Sequence, residues 1–405
     1  MIPFHRISIK PFTIDQLQML NEAMVKGDTC DCQIKESLVQ NDYPLASCDT
    51  MLLTHSATAS LELMALAMGI KPGDEVIMPS FTYAATANAF AKFGAVIKFV
   101  DIEPLTLNID PIKVEAAITS KTRAVIPIHY GGIAADMMAL RAIIAKTSQQ
   151  FKKGEDAVSL GANSNERYLT DENQKIYLCE DASHTIGAAY MNKPLGTMGD
   201  MGCISFHHSK NITSGGTGGC LFIKNKDLSA IAEEALYQGT NRMAFLKGEV
   251  SNYHWQRLGG AYDMPVMQQV ILLQALSTLS KVTERRRELW YRYQMNLIPL
   301  AHQGYITLAV LPKYAEINGH IFYLKVNSSI QRDDLMRWLM DRNIETRTHY
   351  EPLHTTKIGV KVGRAIGSFS QTNETVKTLV RLPIYNGMTD GEQDEVIAAI
   401  YQFFK

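Results

Sequence analysis

Between residues 73 and 146 the sequence alternates short β-forming runs with helical stretches, and that alternation limits the chain to few architectures. Residues 73–90 read as turn, strand, loop and an alanine-rich helix. A strand at 96–100, a helix at 112–118, a strand at 123–129 and a helix at 135–146 continue the pattern. Strands joined by helices of this length predict an α/β fold with a mostly parallel central sheet and helices on both faces, binding its ligands at the carboxyl ends of the strands. A polar run at 149–174 breaks the rhythm. It reads as a surface insertion, because a strand pattern resumes at 176–180. Strands are expected again at 202–207 and 218–224. Residues 267–292 then read as one long helix with Arg285, Arg286 and Arg287 on a solvated face. A strand at 320–326 and helices at 332–340 and 392–404 predict a smaller C-terminal α+β domain. The expected division is a large domain over 1–260 and a small one over 261–405 that includes the connecting helix.

Length and charge narrow the function. A chain of 405 residues can bury a sizeable core. With 40 Lys and Arg against 41 Asp and Glu it carries a net charge of -1, which gives no reason to expect nucleic acid or a membrane as partner. Any anionic ligand has to be met by local groups. The start, Met1 to Arg6, lacks a basic segment followed by an apolar run, so a cytoplasmic protein is expected. Six cysteines are too sparse for a disulfide framework. Cys30 and Cys32 have no second pair at zinc-site spacing, so they read as reduced thiols and no metal is expected.

Three stretches carry candidate chemistry. Lys210 lies between the strand at 202–207 and the glycine-rich run 214–219, a setting in which burial can lower an ammonium's pKa toward that of a nucleophile. Thr54 to Leu66 places small hydroxylated residues, Thr58 and Ser60 among them, before a helix. That is either a simple N-cap or a phosphate site built on free N–H groups. Asp181 sits just past the end of a strand, as a turn former or as a fixed carboxylate for a cationic ring nitrogen.

Taken in order, these pieces resemble the DegT/DnrJ/EryC1/StrS family of nucleotide-sugar aminotransferases. The match extends over nearly the whole chain and includes Ile2-Pro3-Phe4, 73–80, 87–90, Ser205-Phe206-His207, 239–242 and 350–354. The resemblance implies the fold type I, aspartate-aminotransferase-like scaffold and pyridoxal 5'-phosphate as cofactor. It further implies that Lys210 carries the cofactor covalently and shuttles a proton, and that Asp181 pairs with its pyridine nitrogen. His184 is implied near the phenolic oxygen, and Ala57, Thr58 and Ser205 at the phosphate. Tyr83 matches the aromatic that stacks on the ring; a core aromatic is the alternative. Tyr350 and His354 match groups at the mouth of the sugar site, the alternative being a proline turn with a structural histidine. The implied substrates are L-glutamate and a nucleotide-linked keto-6-deoxyhexose. The implied assembly is a homodimer with Asn241 and Arg242 near the interface. Lys210 argues against the family's dehydratases, which carry His there, and Lys210 with Asp181 argues against a noncatalytic regulator. Two positions depart from the family pattern: Thr217 replaces a Glu in the glycine run, and 259–264 lacks the Asn that reaches a neighbour's phosphate.

Overall fold

In the computed structural model, which describes residues 1–5, 13–26, 31–40, 50–154 and 175–405, helices α1 (Ile14–Lys26) and α2 (Asp31–Gln40) precede the first strand. The alternation then runs β1 (Thr50–Thr54), α3 (Ala57–Ala67), β2 (Glu75–Pro79), α4 (Ala84–Ala91), β3 (Val96–Val100) and α5 (Pro111–Ala117). It continues with β4 (Thr122–Val125), α6 (Met137–Gly154), β5 (Tyr177–Asp181), the short β6 (Ala189–Tyr190) and β7 (Lys193–Pro194), β8 (Met201–Ser205) and β9 (Gly219–Ile223). Helices α7 (Lys226–Leu236), α8 (Arg242–Leu246), α9 (Val266–Leu276) and α10 (Leu279–His302) lead to β10 (Ile306–Leu308), β11 (Ala315–Glu316) and β12 (Phe322–Val326). The chain ends with α11 (Ser329–Met340), α12 (Gly359–Val362), β13 (Gly363–Ala365), α13 (Ser370–Thr378), β14 (Leu379–Leu382) and α14 (Asp390–Phe403).

Eight strands form the central sheet in the order β1-β9-β8-β5-β4-β2-β3-β13. β9 is antiparallel to both its neighbours and every other pairing is parallel, so only β9 runs against the rest. Every residue of β5, β8 and β9 is buried. Such strands are covered on both faces, which is why they read as continuous apolar runs without alternation. A second sheet, β10-β12-β14, is antiparallel and packs against α10 and α14 around Trp290, Tyr293 and Phe322. Among the described residues no helix is long and apolar enough to cross a membrane.

Both ends of the chain cross the division placed at 260/261. β13 pairs in parallel with β3, so residues 363–365 form the edge of the large sheet. A Cβ added at Gly363 would lie 2.6 Å from the Ile97 carbonyl oxygen, which leaves glycine as the residue that fits this approach. Asp101, just past β3, accepts from Gln371 N (3.0 Å) and Thr372 N (2.8 Å) and so caps the start of α13. Ile2 bonds Asn343 and Glu345, adding the N-terminus to the C-terminal half.

Three sequence expectations change. Residues 267–292 do not form one helix: α9 stops at Leu276, and the hydroxyls of Ser277 and Thr278 donate to the carbonyls of Gln274 (2.7 Å) and Ala275 (2.8 Å), competing with the helical ladder. The polar run begins as helix, since α6 continues to Gly154, and 155–174 lies outside the described residues. So does Cys30, and the side chain of Cys32 with it. Arg286, expected on a solvated face, is 3% exposed. Its guanidinium donates to the carbonyls of Gly319 (3.0 Å), His320 (2.8 Å) and Ile384 (3.2 Å) and to Asn386 Oδ1 (3.0 Å). Burial pulls its pKa down to about 9, which still leaves it charged at neutral pH. Arg286→Met should destabilise the protein by about 3 kcal/mol, because the substitution strands several buried acceptors at once. Urea unfolding checks this, and an unchanged midpoint would mean that water or a rearrangement satisfies those carbonyls.

Candidate active site

Because β1, β2, β4, β5 and β8 run the same way, their carboxyl ends meet along one edge of the sheet. A cavity of about 620 Å³ opens there. Asp181, the last residue of β5, faces it and is 5% exposed. Its carboxylate is fixed on both sides: Oδ2 accepts from Thr86 Oγ1 (2.7 Å), and Oδ1 accepts from Ser183 Oγ (2.5 Å) and Ser183 N (3.2 Å). The preceding residue anchors the strand end. Glu180 accepts from the N–H groups of Gly196 (2.8 Å), Met198 (2.6 Å) and Gly199 (2.6 Å) and from His129 Nε2 (3.0 Å). Its neighbour therefore has little freedom to turn away from the cavity.

Lys210 follows β8 in a tight turn closed by Lys210 N donating to His207 O at 2.9 Å. The loop is pinned beneath by Ser214, whose hydroxyl donates to Thr217 O (2.9 Å). Thr217, at the departure from the family pattern, lines the cavity. The Lys210 side chain keeps some surface open to the cavity, yet protein surrounds it. Burial is the main reason its pKa falls to about 8, with the Asp181 charge pulling the other way and Arg381 adding to the depression. A group in this state has a substantial neutral, nucleophilic fraction near physiological pH.

Helix α3 points its start into the same space. Ser56, outside the sequence's candidate cap residues, is the N-cap, its hydroxyl accepting from Ala59 N at 3.1 Å. The N–H groups of Ala57 and Thr58 have no acceptor within the helix, as helix geometry requires, and both residues line the cavity. Gly219 at the start of β9 makes this possible: an added Cβ would lie 2.5 Å from Ala57 N. Ser205, at the end of β8, is buried and also lines the cavity. An anion would find free N–H groups, hydroxyls and the positive end of a helix here.

The far wall is aromatic. Gly131 N donates to His184 Nδ1 (3.3 Å), so that nitrogen carries no proton and Nε2 donates to Tyr350 Oη (3.3 Å). The ring is neutral, in keeping with burial and the nearby Lys210 and His349 charges, which hold its pKa well below the usual value. His184 packs on His320 with centroids 4.7 Å apart and lies parallel to Tyr350. His349 Nδ1 is 2.7 Å from Tyr130 Oη. Tyr83 is 66% exposed at the cavity rim, which removes the core-aromatic alternative.

The cavity thus gathers Ala57, Thr58, Tyr83, Asp181, His184, Ser205, Lys210 and Tyr350 from the sequence-derived set. His354 is not part of its lining. Its Nδ1 is 2.6 Å from Ser80 Oγ, its N–H donates to the same oxygen (3.1 Å), and its ring stacks on Phe369 at 3.8 Å. This corrects its placement at the mouth, because these contacts turn it towards the end of β2, where it ties the 350–355 segment down. Thr86, Ser183, His320 and Arg381 were not singled out from sequence. A threonine within an alanine-rich helix and a lone arginine near the C-terminus carry no local signal that would mark them.

The chain is similar in sequence and in fold to known proteins. The model of the DegT/DnrJ/EryC1/StrS aminotransferase family matches residues 47–169 and 168–401. A protein of Geobacillus stearothermophilus described as a pleiotropic regulatory protein is 31% identical over 340 residues, covering 84% of this chain and 81% of its own length. The structure is similar to sugar aminotransferase CalS13 from Micromonospora echinospora, with a TM-score of 0.82, 21% identity, and coverage of 99% of this chain and 100% of that one. It is also similar to ntda from Bacillus subtilis with bound cofactor PMP, with a TM-score of 0.77, 27% identity, and coverage of 98% of this chain and 86% of the other. The fold is the type I, aspartate-aminotransferase-like one, and the chain belongs to the DegT/DnrJ/EryC1/StrS aminotransferase family.

Proposed function

We propose that this protein is a pyridoxal-phosphate-dependent sugar aminotransferase. In this reading it moves an amino group from L-glutamate to a nucleotide-linked keto-6-deoxyhexose, with dTDP-4-keto-6-deoxy-D-glucose the first candidate. The observation that carries the reading is the pairing of a lysine whose pKa burial lowers to about 8 with a buried, doubly fixed carboxylate in one cavity. Buried charges destabilise a fold unless they are paired, and they concentrate where chemistry uses them.

The donor set suits the cofactor. The Ala57 and Thr58 N–H groups with the Ser205 hydroxyl suit a phosphate, Asp181 suits a protonated ring nitrogen, and Tyr83 offers an open aromatic face. When bound, pyridoxal phosphate supplies an aldehyde carbon and an electron-withdrawing ring. Lys210 Nζ would hold it through the aldehyde carbon, with loss of water, and would move a proton to and from the substrate carbon. Asp181 would keep the ring nitrogen protonated. His184, donating through Nε2 to Tyr350, holds that hydroxyl against the cavity. Tyr350 serves the sugar side, and His354 fixes the segment that carries it.

The assembly is proposed as a cytoplasmic homodimer. Phe245, Leu246, Trp255 and Leu258 are exposed next to Asn241 and Arg242, and an apolar group of this kind supports an interface there. The regulatory description of the Geobacillus relative raises a second reading, a regulator on the same scaffold. A regulator has no use for a lysine of lowered pKa sharing a cavity with a buried carboxylate.

Incubation with L-glutamate and a panel of dTDP- and UDP-linked 3-keto and 4-keto sugars, read by NMR, should yield an amino-sugar nucleotide and 2-oxoglutarate. Lys210→Ala should lower that turnover by roughly a thousandfold or more. No amination of any sugar by cofactor-loaded protein would overturn the reading. In cofactor-free protein, the rate of pyridoxal phosphate capture should rise with pH through about 8 and then level, following deprotonation of Lys210. A rate still climbing beyond the ordinary lysine pKa of about 10.4 would place the reacting amine on the surface.

A further inference from the structure

Buried polar groups fix His320 from three sides. Its N–H donates to Asn318 Oδ1 (3.1 Å), its carbonyl accepts from the Arg286 guanidinium (2.8 Å), and its ring Nδ1 is 2.8 Å from Asn211 Oδ1. Asn211 is oriented in turn. Its Nδ2 donates to the Asn318 carbonyl (3.1 Å), which leaves the amide oxygen facing the ring, and its own carbonyl accepts from Asn386 Nδ2 (3.1 Å). An amide oxygen only accepts, so Nδ1 carries the imidazole proton. Burial, with His184, Lys210, Arg286 and Arg381 nearby, holds the pKa well below the usual value, so the ring is neutral and Nε2 is a lone pair. That atom has no partner among the described residues, while His320 is 8% exposed and lines the cavity. His184 packs on the ring at 4.7 Å, but both of its nitrogens are committed, to Gly131 and Tyr350. Because Asn211 follows Lys210 in the chain, the His320 ring is fixed relative to the lysine as well. A pre-oriented acceptor left unpaired in a desolvated wall costs free energy unless a ligand donates to it.

We propose that His320 Nε2 accepts a hydrogen bond from the sugar hydroxyl on the carbon next to the keto carbon, and so selects substrates that carry that hydroxyl over deoxy analogues. The lone pair chooses the ligand chemistry. Carboxylate and phosphate oxygens are acceptors and have nothing to donate to it, whereas a hydroxyl does. Depth chooses the hydroxyl. The ring is tied to the residue beside Lys210, so the group it meets lies close to the carbon that exchanges nitrogen. The reacting nitrogen itself is served by Lys210. In the 4-keto-6-deoxyhexose of the functional reading, on which this inference rests, the neighbouring carbon with a hydroxyl is C3, because C5 bears the methyl group and the ring oxygen. Arg286, Asn211 and Asn318 are positioning residues in this account, and they give the buried Arg286 a purpose at the site.

The test is one of binding and needs no turnover. The probes are dTDP-6-deoxy-D-glucose, which has no keto group to react, and its 3-deoxy analogue, each titrated calorimetrically into protein loaded with pyridoxamine phosphate. The parent should bind the hydroxylated probe about tenfold more tightly than the 3-deoxy one. His320→Asn places an amide N–H where Nδ1 meets Asn211 but has no acceptor at the position of Nε2, and it should bind the two probes within about twofold of each other. Its affinity for thymidine diphosphate should stay within about twofold of the parent's, which shows that the variant is folded. His320→Gln reaches the position of Nε2 with an amide oxygen and should keep part of the preference, about threefold. Equal binding of the two probes by the parent, a full preference surviving in His320→Asn, or no binding of either probe to the parent would each overturn the assignment. If the preference follows the expected pattern in a protein that aminates no keto-sugar, the hydroxyl site stands and the functional reading falls. If amination proceeds and the parent shows no preference, the functional reading stands and this assignment falls.

Discussion

A carboxylate buried at the end of a parallel strand dictates much of what surrounds it. Asp181 is 5% exposed, and an ionised carboxylate at such a place needs hydrogen bonds and a nearby positive charge to remain charged. Thr86 and Ser183 supply the hydrogen bonds, and Lys210 supplies charge across the cavity. Each depends on a different strand. Thr86 follows β2, Ser183 follows β5 and Lys210 follows β8, so the sheet order brings together groups far apart in sequence. The inverted β9 contributes as well, because its first residue, Gly219, lies against the start of α3 and leaves room for that helix to point into the cavity.

The cavity is closed by segments from both ends of the chain. Phe4 and His5 form one wall and Arg381, Leu382 and Ile384 another, and Ile2 is hydrogen-bonded to 343 and 345. β13 and the Asp101 cap of α13 tie the C-terminal half back onto the large sheet. These ties place Tyr350, His349 and Arg381 opposite Lys210, and they give the 350–355 segment a second anchor through His354 and Ser80. Contacts of this kind hold the two halves in one arrangement, which a site assembled from both of them requires.

The parts of the fold that were legible in the sequence are those set by local periodicity. The strand at 96–100 and the helices near 112, 332 and 392 follow from apolar spacing and turn residues. Lys210 before a glycine run and Asp181 at a strand end are weak local patterns that gained weight only from the family resemblance, and the fold brings both to one cavity. What escaped depends on the third dimension. Nothing in Arg285-Arg286-Arg287 tells which of three guanidiniums faces carbonyls from 319, 320 and 384, and the helical turn alone put Arg286 inside. The return of 363–365 to the sheet edge is a pairing across more than 250 residues, invisible to any window. His354 was misplaced for a related reason: its partners are Ser80, at the end of β2 and far away in sequence, and Phe369, beyond β13.

The central claim is that Lys210 and Asp181 make this cavity a site for taking an amino group from a donor. The most direct measurement is a spectrophotometric titration of the cofactor-loaded protein with L-glutamate alone, with no sugar present. The account predicts that the visible band of the lysine-bound cofactor disappears, that one 2-oxoglutarate is released per site, and that adding 2-oxoglutarate restores the band. A cofactor bound through Lys210 whose spectrum stays unchanged by glutamate and by other amino acids, with no oxo acid released, would contradict it.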